Sequence, residues 1–480
     1  MKSKIIFLAP LSVLFLTRIS LFNPDGRYFF GDEIFYKRLI VTLIESEKTN
    51  NPLLFWQGIF GIHAKPGFGI VYSLPIWGEA RMPNVPYGAI LNVLINCLIP
   101  ILCFLIIKKL VGQKVAVFAT SALIFSISSV FYIRHMLPYD VSIVIFLIGL
   151  YLYLRVKSVL LFATISAISF LTYPSYFYYF IPIPVTLVIF GRPRLKGSVL
   201  FISGFICVVL FAQLASIAIG AKPSYLEEAQ RLSGVVTQGD FIPALNFLAE
   251  YIISYDGFWG IILVAVAPLI ILFGNRKKFF PLIIYLLLVF LILELFSHIT
   301  SKTVLYGRTI RPFYLLLLIS GAMALESLFR KLLKAPLYWL LFCVFLITSL
   351  LNWLPRFDRF QKITYPEEFR VEVENYLQDM HPGNYMVEDV YTKKRWEEDF
   401  ATDPPVLEQE KFYIGNPTLL YPYFGNVEIP CKKDILISRE HAMTFSPYQF
   451  EGFTKKMREF IIEDPPKYQL IYCEDLTKTQ

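Results

Sequence analysis

Residues 89–107 read AILNVLINCLIPILCFLII, an uninterrupted run without a charged side chain. A helix of about 20 apolar residues is long enough to cross the roughly 30 Å hydrocarbon core of a bilayer. Similar runs recur along the 480-residue chain, which is 56% hydrophobic and 17% charged, whereas soluble chains carry about 25% charged residues. The composition predicts an α-helical polytopic membrane protein. It excludes a soluble enzyme, a disordered tail and a secreted disulfide scaffold.

Eleven apolar segments are candidate membrane spans. They lie at residues 4–22, 89–107, 115–133, 138–154, 158–172, 175–190, 197–219, 257–273, 279–299, 312–328 and 335–354. The pair between 158 and 190 has two interpretations, a helical hairpin or one kinked span, because Pro174, Pro182 and Pro184 interrupt it. The choice decides on which side of the membrane every later loop lies.

The distribution of charge favours the hairpin. With eleven spans and a cytoplasmic N-terminus, the inner connections hold 16 Lys and Arg and no acid in 31 residues, at 1–4, 108–114, 155–157, 191–196, 274–278 and 329–334. Cytoplasmic loops of membrane proteins carry such an excess of cations. This orientation places a first loop, residues 23–88, and the C-terminal tail outside the cytoplasm. The first span lacks a small-x-small cleavage site, which favours an uncleaved anchor over a signal peptide.

The chain has two parts of opposite charge. Residues 355–480 hold 16 Lys and Arg against 23 Asp and Glu, a net charge of −7, and residues 1–354 hold the remaining 29 against 14, a net charge of +15. We predict a membrane domain over 1–354 and a soluble extracytoplasmic α/β domain over 355–480. The cations of the first part lie between apolar runs, where they set topology, so no nucleic-acid partner is expected.

The tail alternates two kinds of element. Its patterns predict helices at 366–380 and 450–462 and strands at 385–390, 434–438 and 468–473. Cys431 and Cys473 both lie in this part of the chain. An oxidising compartment would permit a disulfide between them without requiring one.

Two adjacent carboxylates, Asp32 and Glu33, begin a predicted juxtamembrane helix in the first outer loop. One interpretation is an N-cap, in which Asp32 accepts from first-turn amides and Glu33 complements the helix dipole. The other is a general base at the water boundary, because a carboxylate can take the proton of an acceptor hydroxyl. Spacing alone favours the cap.

Cations and one acid follow at the ends of predicted spans. Lys65 and Arg81 lie in the first outer loop, where they could bind a phosphate or extend to lipid headgroups. Arg134 and Asp140 flank the turn before the fourth span. Ionisable groups at such a depth need a partner or a wet cavity, so these two form either an ion pair that fixes the turn or part of a site.

A further cationic group lies near the start of the tenth span. Lys302, Arg308 and Arg311 belong to a predicted outer loop and its junction with the span, against the usual inside bias of cations. They are candidates to bind an anionic phosphate at the outer surface. Glu294 and His298 are one helical turn apart in the ninth span, and the pattern favours a buried pair over a site role.

The order of these motifs resembles a known family. A first span precedes a loop containing Asp-Glu-x-x-Tyr from Asp32, then Lys65-Pro66, Arg81-x-Pro-Asn, and Arg134-His-x-x-Pro-x-Asp140. The sequence resembles the GT-C glycosyltransferases, in particular the branch of protein O-mannosyltransferases and bacterial lipid-A aminoarabinose transferases. The resemblance covers residues 1–190 well and continues loosely to 330.

The resemblance implies roles for individual residues. Asp32, with Glu33, matches the first-loop acid that acts as base or orients the acceptor, and Lys65-Pro66 matches the family's Lys-Pro-Pro with Gly67 in the third position. Phe170 to Pro174 is similar to the family's Leu-Thr-Lys turn, but Tyr173 replaces its Lys. The phosphate contact expected there must come from elsewhere, and Arg308 and Arg311 are the substitutes.

The function implied is transfer of a sugar from a polyprenyl-phosphate donor to a lipid, glycan or protein acceptor by an inverting mechanism. The expected location is the outer face of a plasma membrane, and no metal or other cofactor is expected. A transporter or lipid flippase is the alternative, since Asp140, Glu294 and His298 would suit a transport path. Against it, the sequence shows no paired half-repeats.

Overall fold

The computed structural model describes the membrane part of the chain and four strands of the tail. The described residues are 12–22, 42, 44–61, 65–82, 85–133, 136–190, 194–221, 226–227, 230, 244–273, 276–300, 307–361, 385–389, 410–415, 435–438 and 468–471. The chain divides into two compact units, of which the first contains 32–248 and 255–357 and the second contains 249–254 and 358–480.

The described residues from 12 to 361 are built of helices. Residues 12–20 and 44–48 are helical. The helices that follow up to residue 218 are α1 (Pro52–Phe60), α2 (Pro66–Arg81), α3 (Tyr87–Leu110), α4 (Gln113–Ile124), α5 (Ile127–Val130), α6 (Pro138–Val156), α7 (Val159–Thr172), α8 (Phe177–Phe180), α9 (Pro182–Phe190) and α10 (Arg194–Ala218). The later ones are α11 (Ala244–Tyr255), α12 (Gly257–Val266), α13 (Ile270–Phe273), α14 (Arg276–Thr300), α15 (Gly307–Leu332) and α16 (Ala335–Gln361).

The predicted apolar segments fall largely on helix wherever the structure describes them. Five of the described helices are long and apolar enough to cross a membrane: α3, α6, α10, α15 and α16. Five shorter apolar stretches, of 10–17 residues, accompany them in the same part of the chain. The segment between 158 and 190 forms separate helices, with the break at Tyr173 and Pro174. The total of eleven spans remains a prediction.

The predicted span over residues 115–133 is not one continuous helix. The sequence predicts a single span over 115–133, but α4 ends at Ile124 and the one-turn helix α5 begins at Ile127. Between them Ser126 has an extended backbone, with φ −106° and ψ 128°. The apolar pattern does not reveal this break, because what stabilises it comes from distant parts of the chain.

Helices α3 and α15 form the centre of the bundle. The most apolar windows of these two helices are 61% and 67% buried, against 22% for α10, whose leucines and isoleucines face outward. Both central helices pack against α4. At the start of α15, Arg311 therefore contacts Ser128 and Ser129, which follow α4.

Helix α15 also packs closely on α12, and Gly321 makes this possible. A Cβ at Gly321 would overlap the backbone carbonyl of Leu263. We expect Gly321→Ala to lower the free energy of unfolding by about 1–3 kcal/mol, because backbone has to move. The measurement is thermal unfolding in detergent. Gly197→Ala is the control, since its nearest neighbour, Val159 Cγ2, lies 3.9 Å from the added Cβ; equal losses in both variants would contradict this explanation.

The second unit contains a four-stranded sheet in the order β1 (Tyr385–Asp389), β2 (Glu410–Gly415), β3 (Ile435–Ser438) and β4 (Tyr468–Ile471). The pairs β1–β2 and β2–β3 are parallel, and β3–β4 is antiparallel. Three strands lie where the sequence predicts them, and β2 is additional. The predicted tail helices at 366–380 and 450–462, as well as Cys431 and Cys473, lie outside the described residues.

Candidate functional site

Five of the nine predicted site residues belong to the described part of the chain: Lys65, Arg81, Asp140, Arg308 and Arg311. The other four lie outside the described residues: Asp32, Glu33, Arg134 and Lys302. The structure places Asp140 and Arg311 at the break between α4 and α5. Lys65 contacts Tyr173, and Arg308 contacts Tyr139, the residue before Asp140. Arg81 alone has its contacts elsewhere.

The break exposes backbone groups that need partners inside a helix bundle. Buried N–H and C=O groups without partners cost free energy, and in a bilayer no water replaces them. Two arginines, both fully buried, satisfy the carbonyl groups. Arg311 donates to the carbonyls of Ser128 and Ser129 at 2.6 and 3.0 Å. Arg18 donates to the Ile124 carbonyl at 3.3 Å and to Ser129 Oγ at 2.9 Å.

Asp256, at the residue before α12, holds the other side of the break. Its carboxylate accepts from the Ile127 amide at 2.7 Å, from Ser126 Oγ at 2.6 Å and from the Tyr314 hydroxyl at 2.5 Å. Burial raises the pKa of the Asp256 carboxyl above its usual range, while these three hydrogen bonds act in the opposite direction. Asp256 thus joins the break to α15 as well as to the start of α12.

Asp140 completes this network. One of its oxygens forms an ion pair with Arg311, and the other accepts from Asn96 Nδ2 at 2.9 Å. Asn96 in turn accepts from Arg18 Nε at 3.3 Å. Two guanidinium groups and two carboxylates therefore surround the break, and their formal charges cancel. This balance reduces the cost of placing four ionisable groups inside the bundle.

The hydrogen bond from Tyr314 to Asp256 is short and ends on a buried carboxylate. We expect Tyr314→Phe to lower the free energy of unfolding by about 1.5–3 kcal/mol, the usual range for a hydrogen bond to a charged group. Tyr338→Phe is the matched control, because its hydroxyl donates to Glu326 over a longer 3.4 Å. Chemical unfolding in mixed micelles measures both. A larger loss in the control would contradict the role given to Asp256.

Beside this network lies a cluster of cations and tyrosines whose rings meet edge to face. Lys65 Nζ is 5.9 Å from the ring centroid of Tyr173, which makes an edge contact with Tyr139 at 4.7 Å. Arg308 Nη1 donates to the Tyr139 hydroxyl at 2.9 Å, and its guanidinium carbon is 5.7 Å from that ring. We call Lys65, Tyr139, Tyr173 and Arg308 the tyrosine–cation cluster. Cations near an aromatic face are attracted by its quadrupole.

Local sequence places each member of the cluster at a helix terminus. Lys65 precedes Pro66, which starts α2, while Tyr173 has an extended backbone between the end of α7 and Pro174. Gly67 allows the two elements to approach, because a Cβ at this position would overlap Thr172 Oγ1. Gly67 stands where the Lys-Pro-Pro pattern has its second proline. This position is therefore a close contact between α2 and α7.

Arg308 and Arg311 differ in their surroundings although they are one turn apart on α15. Arg308 is partly exposed, whereas Arg311 is fully buried and donates from all three guanidinium nitrogens to Asp140 and the break. Arg311 also lies 5.0 Å from the ring centroid of Tyr132, which packs against Tyr139. Arg311, held by Asp140, thus contacts the tyrosine–cation cluster through Tyr132.

Arg81 lies in a different local group. Its guanidinium forms an ion pair with Glu47 and stacks on Trp77 at 3.9 Å, and both charged side chains are about half exposed. Trp77 Nε1 also donates to Glu47 at 3.4 Å. This surface pairing gives Arg81 a structural role that the sequence did not predict.

An apolar cavity adjoins the cluster. The line of tyrosines continues from Tyr173 to Tyr176 at 4.7 Å and to Tyr179 at 5.5 Å. Tyr176 and Tyr179 line a cavity of about 80 Å³ whose other walls include Phe180 and Tyr285. The path from cations through aromatic rings to an apolar space suits a molecule with an anionic end and a hydrocarbon end.

Comparison with solved structures shows a distant likeness. The chain is similar to the crystal structure of the Archaeoglobus fulgidus oligosaccharyltransferase in complex with zinc and sulfate, at 13% sequence identity and a TM-score of 0.44. The match covers 83% of this chain and 58% of the archaeal chain, so the chain spans less than two thirds of that protein's length. No protein-family model and no curated protein matches the sequence.

Sequence reasoning missed Arg18, Asn96, Asp256 and Tyr139. The first two are polar residues within apolar runs and the third borders one, which is a signal for buried partners. Tyr139 carries no such signal, since aromatic residues are common in spans. Within the described residues, no group of three or more His, Cys, Asp or Glu side chains is arranged to hold a metal ion.

Proposed function

We propose that the chain is an integral-membrane glycosyltransferase that moves a sugar from a polyprenyl-phosphate donor to a lipid, glycan or protein acceptor. The observation that carries the proposal is the position of Lys65 and Arg308 on one pair of contacting rings, Tyr173 and Tyr139. Two cations at helix termini bind a phosphate at the membrane boundary, with Arg able to use a bidentate fork.

The apolar cavity supports a lipid-linked donor. Tyr176 contacts Tyr173 of the cluster and lines the cavity, so hydrocarbon next to the phosphate would have a place among apolar walls. We propose that the first part of the isoprenoid chain packs there. The orientation belongs to the same proposal: the N-terminus is cytoplasmic, and the cluster and the C-terminal domain are extracytoplasmic, in a plasma membrane.

In the proposed reaction, an acceptor hydroxyl oxygen attacks the anomeric carbon and forms the new glycosidic bond with inversion. The bond from that carbon to the phosphate oxygen breaks, and polyprenyl phosphate leaves with its negative charge next to Lys65 and Arg308. Asp32 takes the hydroxyl proton, with Glu33 beside it. Arg134 and Lys302 are further candidate phosphate contacts. The charge-paired leaving group requires no metal, and chelator should leave transfer unchanged.

The geometry of Asp140 favours the enzyme over a transporter. Asp140 was one of three ionisable residues that would suit a transport path, but it is bound to Arg311 and Asn96. A carboxylate held in this way stabilises the bundle. Measuring sugar transfer and solute uptake in the same reconstituted vesicles separates the two functions.

The experiment that tests the proposed function is sugar transfer by purified protein with a panel of polyprenyl-phosphate hexoses and pentoses. Asp32→Asn is expected to reduce turnover by about 100-fold or more, because the acceptor loses its general base. Its unfolding midpoint should remain that of the wild type. Glu45→Gln, an acid of the same outer loop, is the control. Transfer at the wild-type rate by Asp32→Asn would show that this residue is not the base.

A further inference from the structure

A second group of cations lies at another end of the bundle, where two helix connections meet. Lys114 is the second residue of α4, and Arg330 lies in the last turn of α15. Both act electrostatically on the buried carboxylate of Glu326, and both side chains are exposed. The Arg308 region is at the opposite terminus of α15.

Two aromatic rings hold Lys114 in place. Its Nζ lies 5.4 Å from the ring centroid of Tyr338 and 5.6 Å from that of Trp339, at the start of α16. The Tyr338 hydroxyl donates to Glu326. Trp339, unlike buried Tyr338, is partly exposed, and Trp prefers the boundary between hydrocarbon and water. We call Lys114, Arg330, Tyr338 and Trp339 the Lys114 patch.

The surroundings of the Lys114 patch carry a large excess of positive charge. Near the junction of α3 and α4, the end of α3 contributes Lys108 and Lys109 in addition to Lys114. Near the junction of α15 and α16, Lys331 and Lys334 add to Arg330. Glu326 offsets one of these charges. Because Lys114 contacts α16, both connections lie at the same end of the bundle.

Apolar side chains border the patch. The exposed residues next to it along the helices are large hydrophobics: Leu110, Leu332, Leu337 and Leu340. A free anion would gain nothing from these leucines, whereas an amphiphile with an anionic head and apolar chains would contact both surfaces. Basic pockets between membrane helices bind lipid headgroups in this way.

We propose that the Lys114 patch is a binding site for an anionic phospholipid. The phosphate pairs with Lys114 and Arg330, Trp339 packs against the glycerol region, and the acyl chains follow the leucines. The site is separate from the tyrosine–cation cluster and does not depend on the proposed glycosyl transfer.

The test is native mass spectrometry of the full-length protein in neutral detergent, titrated with phosphatidylglycerol or phosphatidylcholine. The wild type should bind phosphatidylglycerol more tightly. Lys114→Gln with Arg330→Gln should weaken that binding roughly 30-fold, since each interfacial cation contributes about fivefold. Lys114→Arg with Arg330→Lys retains both charges and should bind as the wild type.

The matched control is Arg155→Gln with Lys157→Gln. These exposed cations also lie over tyrosines, Tyr151 at 5.5 Å and Tyr153 at 5.8 Å, at the end of α6. They should change phosphatidylglycerol binding by less than about twofold if the Lys114 patch is the site. Equal weakening by both pairs, or equal binding of both lipids by the wild type, would overturn the proposal.

A variant that retains every cation covers the case in which the double variant does not fold. Trp339→Leu removes one ring and should weaken phosphatidylglycerol binding by about two- to fivefold, the range of an exposed cation–π contact. Unchanged binding by a folded Trp339→Leu protein would contradict the proposed geometry.

Discussion

Asp140→Asn is expected to lower the free energy of unfolding by about 3–5 kcal/mol, because the buried guanidinium of Arg311 loses its carboxylate partner. Arg311 is fully buried, and two of its other donors already bind the carbonyls of Ser128 and Ser129. Unfolding in mixed micelles, followed by circular dichroism, measures the change.

A double-mutant cycle separates the ion pair from other effects of the substitution. Asp140→Asn with Arg311→Met removes both charges and should cost less than the sum of the two single variants. The exposed pair of Arg81 and Glu47 is the control, and Glu47→Gln should cost less than about 1 kcal/mol. Equal losses from Asp140→Asn and Glu47→Gln would show that the network does not stabilise the break.

Arg308→Gln is expected to reduce sugar transfer by about 100-fold or more, because the leaving phosphate loses a charged donor. Stability should change little, since Arg308 is partly exposed and lies outside the charge-balanced network. Arg308→Lys should restore part of the activity, as Lys keeps the charge but lacks the planar fork.

The control for Arg308→Gln is Arg155→Gln, which removes an exposed arginine that also lies over a tyrosine ring. Transfer is measured in reconstituted vesicles with the polyprenyl-phosphate sugar that supports wild-type turnover. The role given to Arg308 would be wrong if its Gln variant kept normal turnover, or if both variants lost activity equally.

The sequence predicts the positions of the helices well because apolar length and flanking charge are local properties. The break after Ile124 is not local: the acceptor for the Ile127 amide is Asp256, which is 129 residues away. Arg18 and Asn96 likewise donate to carbonyls beside the break, those of Ile124 and Ser129, from distant positions in the chain. An apolar pattern contains no information about such distant partners, so the sequence predicts a continuous span.

The same limit applies to the site. The sequence places Lys65, Arg308 and Arg311 among the candidate phosphate contacts but cannot rank the two arginines, which are three residues apart. Their depth in the bundle distinguishes them, and depth follows from tertiary packing. Tyr173 replaces a lysine of the family pattern, and the structure gives it a position between Lys65 and Tyr139.

The most direct test of the proposed donor site is photocrosslinking with a polyprenyl phosphate that carries a photoreactive group on its first isoprene unit. We expect labelled peptides to come from Tyr139 and Tyr173 to Tyr179, with labelling lost in Lys65→Gln/Arg308→Gln and retained in Arg155→Gln/Lys157→Gln. Labelling confined to other helices, or equal labelling of all the variants, would contradict a phosphate site at the tyrosine–cation cluster.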